Sequence, residues 1–286
     1  MFRKILLSAI CLLPFQGFAI SPSELQQLLI SSPFSYPMEV QVVPGKKSEI
    51  MLCFHGMGES GPWLANRLKM VPELEDTLVT FNFPDHAFFR NPVDFEKTSF
   101  GSIQELLPPL YLMKKIVVDG KVSSLSLYGF SAGGGAIVNA LGVLNSHSYD
   151  TELKNIGITE EHKKTILKAV ENGIVILDAP LKSLREIMAA RSDFPQLSVV
   201  EKRYRENGLE PIDSLPRLKG LDLKILLFFQ NPDTILSNRD DQLYINILKS
   251  VNNGPVCVVI ADDGGHNTLH SSLWQAYAEF LQGTCP

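Results

Sequence analysis

From Glu49 to Leu281, short apolar runs of strand length alternate with longer runs of helical spacing. Glu49–Phe54, Thr77–Phe83, Val122–Tyr128, Gly173–Leu177, Leu223–Phe229 and Val256–Ala261 read as strands. Trp63–Val71, Phe100–Val118, Ala132–Leu144, Thr159–Glu171, Arg239–Val251 and Ser271–Leu281 read as helices. Strands that are apolar throughout are buried on both faces. With a helix in each connection they restrict the chain to the α/β class, a mostly parallel sheet flanked by helices on both faces. Ser21–Ser35 predicts a helical lead-in, and Met38–Val43 a further strand before the turn Pro44-Gly45. The pair Pro108-Pro109 predicts a kink or a late start in its helix. Leu181–Lys219 is polar and charged and contains Pro195, Pro211 and Pro216; it reads as a helical cap over the sheet.

Ligands of such sheets bind beyond the carboxyl ends of the strands. One of those ends carries Gly129-Phe130-Ser131-Ala132-Gly133, between a strand and an Ala/Gly-opened helix. A serine at a tight strand-to-helix hinge is pushed out of the sheet, and side chains two residues either side of it would collide with the adjoining strand and helix. Ser131 is therefore the candidate nucleophile. The helix start supplies N–H groups and positive dipole beside it.

A serine hydroxyl needs a base within hydrogen-bond reach and a group that orients the base. The best base is His266, in the glycine loop Ala261-Asp262-Asp263-Gly264-Gly265-His266-Asn267, with His270 a weaker alternative. The best acid is Asp233, after the strand Leu223–Phe229; Asp178, after Gly173–Leu177, is its rival. Asp262 and Asp263 are too close to His266 in sequence to be favoured. An oxyanion hole needs two converging backbone donors. Ala132 N–H, next after the serine, is one, and Met57 N–H in His55-Gly56-Met57-Gly58 is the other. His55 itself reads as structural rather than basic. Trp63, Phe88 and Phe89 are candidate pocket walls.

These features resemble the α/β-hydrolase superfamily over nearly the whole chain, from about Met38 to Leu281. The His-Gly loop, the G-x-S-x-G elbow, the strand-end Asp and the late Gly-His occur in the order Ser131, Asp233, His266, which is that superfamily's order. The resemblance implies a serine hydrolase acting on a small-molecule ester or related acyl substrate through an acyl-enzyme, with no cofactor. Leu181–Lys219 resembles the cap inserted after the sixth strand of the family sheet. A consecutive HGGG run is missing, which sets the chain apart from lipase-type relatives. A peptidase or thioesterase on the same fold, and a non-catalytic binding protein on a hydrolase scaffold, are the competing readings.

The 286 residues, 45% hydrophobic and 20% charged, suit one large α/β domain. A net charge of -5 offers no basic surface for a phosphate backbone, so nucleic acid is not an expected partner. Asp85-His86 and Asp262-Asp263 read as turn and loop residues, and no Cys/His cluster has zinc spacing, so no metal is expected. Met1-Phe2-Arg3-Lys4, the apolar run Ile5–Leu13 and Gly17-Phe18-Ala19 read as a signal peptide cleaved after about Ala19, which makes the expected location periplasmic or secreted, without stable membrane insertion. Cys53 reads as a buried small hydrophobe, and a Cys257–Cys285 bridge would pin the last helix in an oxidising compartment.

Overall fold

The computed structural model describes residues 20–36, 38–84, 101–183, 209–231, 233–236 and 240–285. Among these residues seven strands form one sheet: β1 (Gln41–Val43), β2 (Ile50–Phe54), β3 (Thr77–Thr80), β4 (Leu125–Phe130), β5 (Val175–Asp178), β6 (Ile225–Gln230) and β7 (Val256–Ala261). Their order is β1-β3-β2-β4-β5-β6-β7. Among the described residues only β1 runs antiparallel to its neighbour; every other pairing is parallel. The two outer strands of the amino-terminal edge are shorter than their sequence patterns suggest. Ladder pairing ends at Thr80, which lies opposite both Gln41 and Cys53 in register; beyond it Phe81 and Phe83 are buried, and Asn82 N–H donates to the Met38 carbonyl at 3.2 Å.

The expectation of helices on both faces is met. One face is covered by α1 (Pro22–Ile30), α3 (Ile103–Lys114), α4 (Ala132–Leu144), α6 (Glu160–Asn172) and the helix Asp241–Val251, around a core that includes Leu110, Ile137, Val170 and Tyr244. The other is covered by α2 (Gly61–Leu68) and the last helix, Ser271–Leu281, around Leu64, Tyr128, Phe228 and Trp274. A short helix, α5 (Asp150–Asn155), has no counterpart in the sequence expectations. Helix starts follow side-chain capping. Ser21 and Glu24 form a capping box at α1, and Thr159 accepts the His162 N–H at α6.

Helix α3 begins at Ile103 and runs through both prolines. Pro108 and Pro109 remove two backbone donors, but both are buried, as are Leu106, Leu110 and Met113, and that burial holds the helix together. It ends in a π-turn, Lys115–Asp119. Helix α4 is buried along its entire length because it lies under the centre of the sheet. The expected cap falls mostly outside the described residues. Its described parts are Leu181–Ser183, the short helix Pro211–Ser214 and the 3-10 turn Leu215–Leu218, which packs on α4. Among the described residues, no helix is long and apolar enough to cross a membrane.

Candidate active site

Ser131 stands between β4 and α4 with φ 53° and ψ −118°, a conformation that a side-chain-bearing residue adopts only when its surroundings force it. Two glycines make the forcing possible. A Cβ on Gly129 would meet the Gly133 carbonyl carbon at 2.7 Å, and one on Gly133 would meet the Phe54 oxygen at 2.2 Å. Hydrogen bonds lock the bend in place. Ser131 N–H donates to the Asp178 carbonyl at 2.9 Å, and the Ser131 carbonyl accepts from Leu181 N–H at 2.8 Å. The nucleophile candidate is thus tied to the end of β5 by its backbone, leaving the hydroxyl free to face elsewhere.

The hydroxyl meets the imidazole expected from the far end of the chain. His266 Nε2 lies 2.8 Å from Ser131 Oγ, and its Nδ1 lies 2.7 Å from Asp233 Oδ2. The other Asp233 oxygen is occupied by its own loop: Oδ1 accepts from Ile235 N–H and Leu236 N–H, each at 2.8 Å. One oxygen therefore anchors the carboxylate and the second is aimed at the ring. Desolvation pushes the Asp233 pKa up, but the His266 bond and the two backbone donors outweigh it and leave the carboxyl below its ordinary range. The ionised acid fixes the proton of His266 on Nδ1, so Nε2 presents a lone pair to the serine.

Asp178, the rival acid, points elsewhere. Its Oδ2 accepts from Tyr128 OH at 2.6 Å, and its Oδ1 has no hydrogen-bond partner among the described residues. Burial raises its pKa, against the Tyr128 bond and the charges of Arg67, His266 and His270. Asp178 contributes to the site through its backbone carbonyl, under Ser131. His270, the weaker base, is buried against Phe228 with ring centroids 5.2 Å apart, and its Nδ1 is 3.6 Å from Asp263. Asp262 accepts a bond from the Asn231 amide.

His55 is fully buried and tied to backbone on both sides, Nδ1 donating to the Gly56 carbonyl at 2.8 Å and Nε2 accepting from Phe83 N–H at 3.1 Å. This is the structural role its sequence context suggests. Met57 is half-buried in the loop that follows, and Ala132 is buried at the head of α4. Trp63 is 40% exposed, with its ring centroid 6.4 Å from that of Phe130. Phe88, Phe89, Asp85 and His86 lie outside the described residues.

Two charged residues that no sequence motif singles out stand beside Ser131, His266 and Asp233. The Arg67 guanidinium donates to the carbonyls of Asn267 and Thr268, both at 3.0 Å, and so holds the loop carrying His266. Its flat face covers the Phe130 ring at 4.6 Å, and Phe130 in turn lies 5.1 Å from the His266 ring. Glu59 accepts the Gly56 N–H at 2.9 Å. The sequence clue for both was weak. A buried Arg on an otherwise amphipathic helix becomes informative only when its partners, some 200 residues on, are known.

No family model and no curated protein matches the sequence. The structure is similar to solved esterases and lipases: an esterase of Pyrococcus furiosus, 14% identical with TM-score 0.54, covering 93% of this chain and 95% of that one; esterase B of Lactobacillus rhamnosis, 12% identical with TM-score 0.61, covering 88% and 82%; and a monoacylglycerol lipase of Paleococcus ferrophilus, 13% identical with TM-score 0.53, covering 87% and 99%.

The fold is the α/β-hydrolase fold. In this α/β-hydrolase fold the serine, aspartate and histidine stand at the ends of β4, β6 and β7, all at the carboxyl edge of the sheet. The bridge Cys257–Cys285 closes around the last of these, joining β7 to the chain beyond the final helix. Cys53 is buried, and burial pushes its thiol well above the ordinary range. Among the described residues one group could gather metal ligands, His147, Asp150 and Glu160, with ligand atoms within 4.8 Å of one another. The Lys163 ammonium already bonds Asp150 and Glu160 at 2.9 Å each, so the cluster carries its own cation.

Proposed function

We propose that this chain is an exported serine hydrolase that cleaves a carboxylic ester or a related acyl bond through an acyl-enzyme. The observation that carries this reading is the continuous relay from Ser131 Oγ to His266 Nε2 at 2.8 Å and from His266 Nδ1 to Asp233 at 2.7 Å. Ser131 Oγ attacks the acyl carbon while His266 Nε2 takes its proton. The oxyanion is received by Ala132 N–H and Met57 N–H. The tetrahedral species collapses, the leaving group takes the proton from His266, and an acyl-serine remains. Water then attacks it, passes a proton to His266, and the second collapse releases the acid and returns the proton to Ser131. Asp233 stays ionised throughout and balances the imidazolium that forms twice per turnover.

Solved structures of the same fold with esterase and monoacylglycerol lipase names support an ester over other acyl bonds. Export is supported by the basic and apolar leader and by the Cys257–Cys285 bridge, since such bridges persist in oxidising compartments. The test is covalent. A fluorophosphonate probe should label the purified protein at Ser131, and Ser131→Ala should abolish labelling. A folded wild type that takes no label would point to a non-catalytic binding protein.

A further inference from the structure

The loop after β2 grips one residue from two directions. Glu59 N–H donates to the Gly56 carbonyl at 3.3 Å, and Glu59 Oε2 accepts the Gly56 N–H at 2.9 Å. The same Gly56 carbonyl accepts from His55 Nδ1 at 2.8 Å. A trans peptide is planar, with its C=O and N–H pointing in opposite directions. The two bonds to the Gly56 carbonyl therefore set where the next N–H, that of Met57, is aimed, and the Glu59 carboxylate secures residue 56 from its other side, through the N–H of the preceding peptide. The carboxylate packs closely on residue 56: a Cβ there would meet Glu59 Oε2 at 3.0 Å and Phe130 Cδ1 at 3.1 Å, so both neighbours would have to give way slightly.

Glu59 also faces charge from three other elements: Arg67 on α2, His266 after β7 and Asp178 at the end of β5. Desolvation is the largest influence and pushes its carboxyl up to about 7, with Asp178 adding to the rise. The Gly56 N–H, Arg67 and His266 pull it down. Near neutrality the group thus passes between a neutral acid and an anion. The anion makes the stronger bond to Gly56 N–H. A bare anion beside a developing oxyanion would oppose it, and Arg67 supplies the compensating cation.

We propose that Glu59 is a positioning residue for the Gly56–Met57 oxyanion peptide, and that turnover requires it to be ionised. The proposal rests on the serine-hydrolase reading. It assigns the Glu59 carboxylate a task outside the Ser131-His266-Asp233 relay: it holds residue 56, whose carbonyl shares a peptide with the Met57 donor, and it sets a second protonation requirement on catalysis.

The test uses Glu59→Gln, which keeps an oxygen for Gly56 N–H but cannot ionise, and Glu59→Ala, which removes both. The hydrolysis of p-nitrophenyl acetate is followed from about pH 5 to pH 9, with fluorophosphonate labelling and thermal melts alongside. The wild-type acid limb of log(kcat/KM) should require two ionisations and the Gln variant one. Glu59→Ala should lower kcat about ten- to a hundred-fold with KM changed less than about two-fold, as expected when a donor felt mainly in the transition state is misaimed. A Glu59 that only fills space would leave the two-ionisation limb in the Gln variant, and that result overturns the proposal. So does a folded Ala variant with kcat within about two-fold of wild type. If the Ala variant does not fold, the Gln profile decides. A wild type that takes no label at Ser131 brings down the serine-hydrolase reading and this proposal together; a labelled wild type with an unchanged Gln profile brings down the proposal alone.

Discussion

The elbow at Ser131 and the loop at His266 hold their side chains 2.8 Å apart by opposite means. The elbow is rigid from within. Its helix is buried at every residue, its glycines are in contact with backbone, and its serine is bent into a strained conformation by neighbours a few residues away. The His266 loop is held from without. Its internal bonds are few, Thr268 N–H to Gly265 O at 2.7 Å and Gly265 N–H to Thr268 Oγ1 at 2.9 Å. What keeps its place is Asp233 from β6, Arg67 from α2 and the Phe130 ring beneath. The candidate nucleophile is presented by local sterics, while the candidate base is placed by tertiary bonds. The two regions should therefore fail differently.

The largest effect expected is on the orientation of the base. Asp233→Asn should lower kcat/KM by about 10⁴ through loss of the right imidazole tautomer, whereas Asp178→Asn, whose carboxylate bonds Tyr128 instead, should leave it within about ten-fold of wild type. Steady-state rates of the two variants on one p-nitrophenyl ester check this, and a larger loss at Asp178 would reverse the assignment of the acid.

Next comes the contrast in tolerance of a methyl group. Gly133→Ala drives a Cβ to 2.2 Å from the Phe54 oxygen and should destabilise by about 4 kcal/mol or more. Gly265→Ala, one residue before the base, meets nothing within 4 Å, and its cost should stay within about 1 kcal/mol. Urea titrations of both variants measure the difference. Equal losses would mean that the elbow relaxes more easily than its contacts indicate.

The smallest effect concerns the external brace. Arg67→Met keeps an unbranched stem over Phe130 but leaves the Asn267 and Thr268 carbonyls without their donor. We expect kcat to fall about ten-fold, with a stability loss of about 1–3 kcal/mol. Separate measurement of kcat and KM, with a thermal melt, shows whether the loss lies in placing His266. An unchanged kcat would show that Asp233 and Phe130 suffice to hold the loop.

The same contrast explains how much was legible beforehand. Ser131 was readable because the residues that place it are adjacent in sequence, glycines at 129 and 133 between a strand and a helix. Asp233 and Asp178 were hard to rank because both follow apolar strands. The choice depends on which carboxylate reaches across to β7, and Tyr128 on β4 captures the other. Arg67 and Glu59 carried no local signal, since a charged residue on a surface-length helix or in a glycine loop reads as solvated until its partners are known. The prolines of α3 were readable as a disturbance, but not as one that burial overrides.

By itself the sequence determined the alternation of strand and helix, the crowded bend at residue 131 and the chain order of serine, acid and base, because each follows from neighbours within a few residues. Only the tertiary structure decided which aspartate faces the imidazole, what braces the His266 loop and which carboxylate closes around Gly56. Those choices depend on groups brought together from distant parts of the chain, where desolvation and hydrogen-bond geometry select among residues that look alike in one dimension.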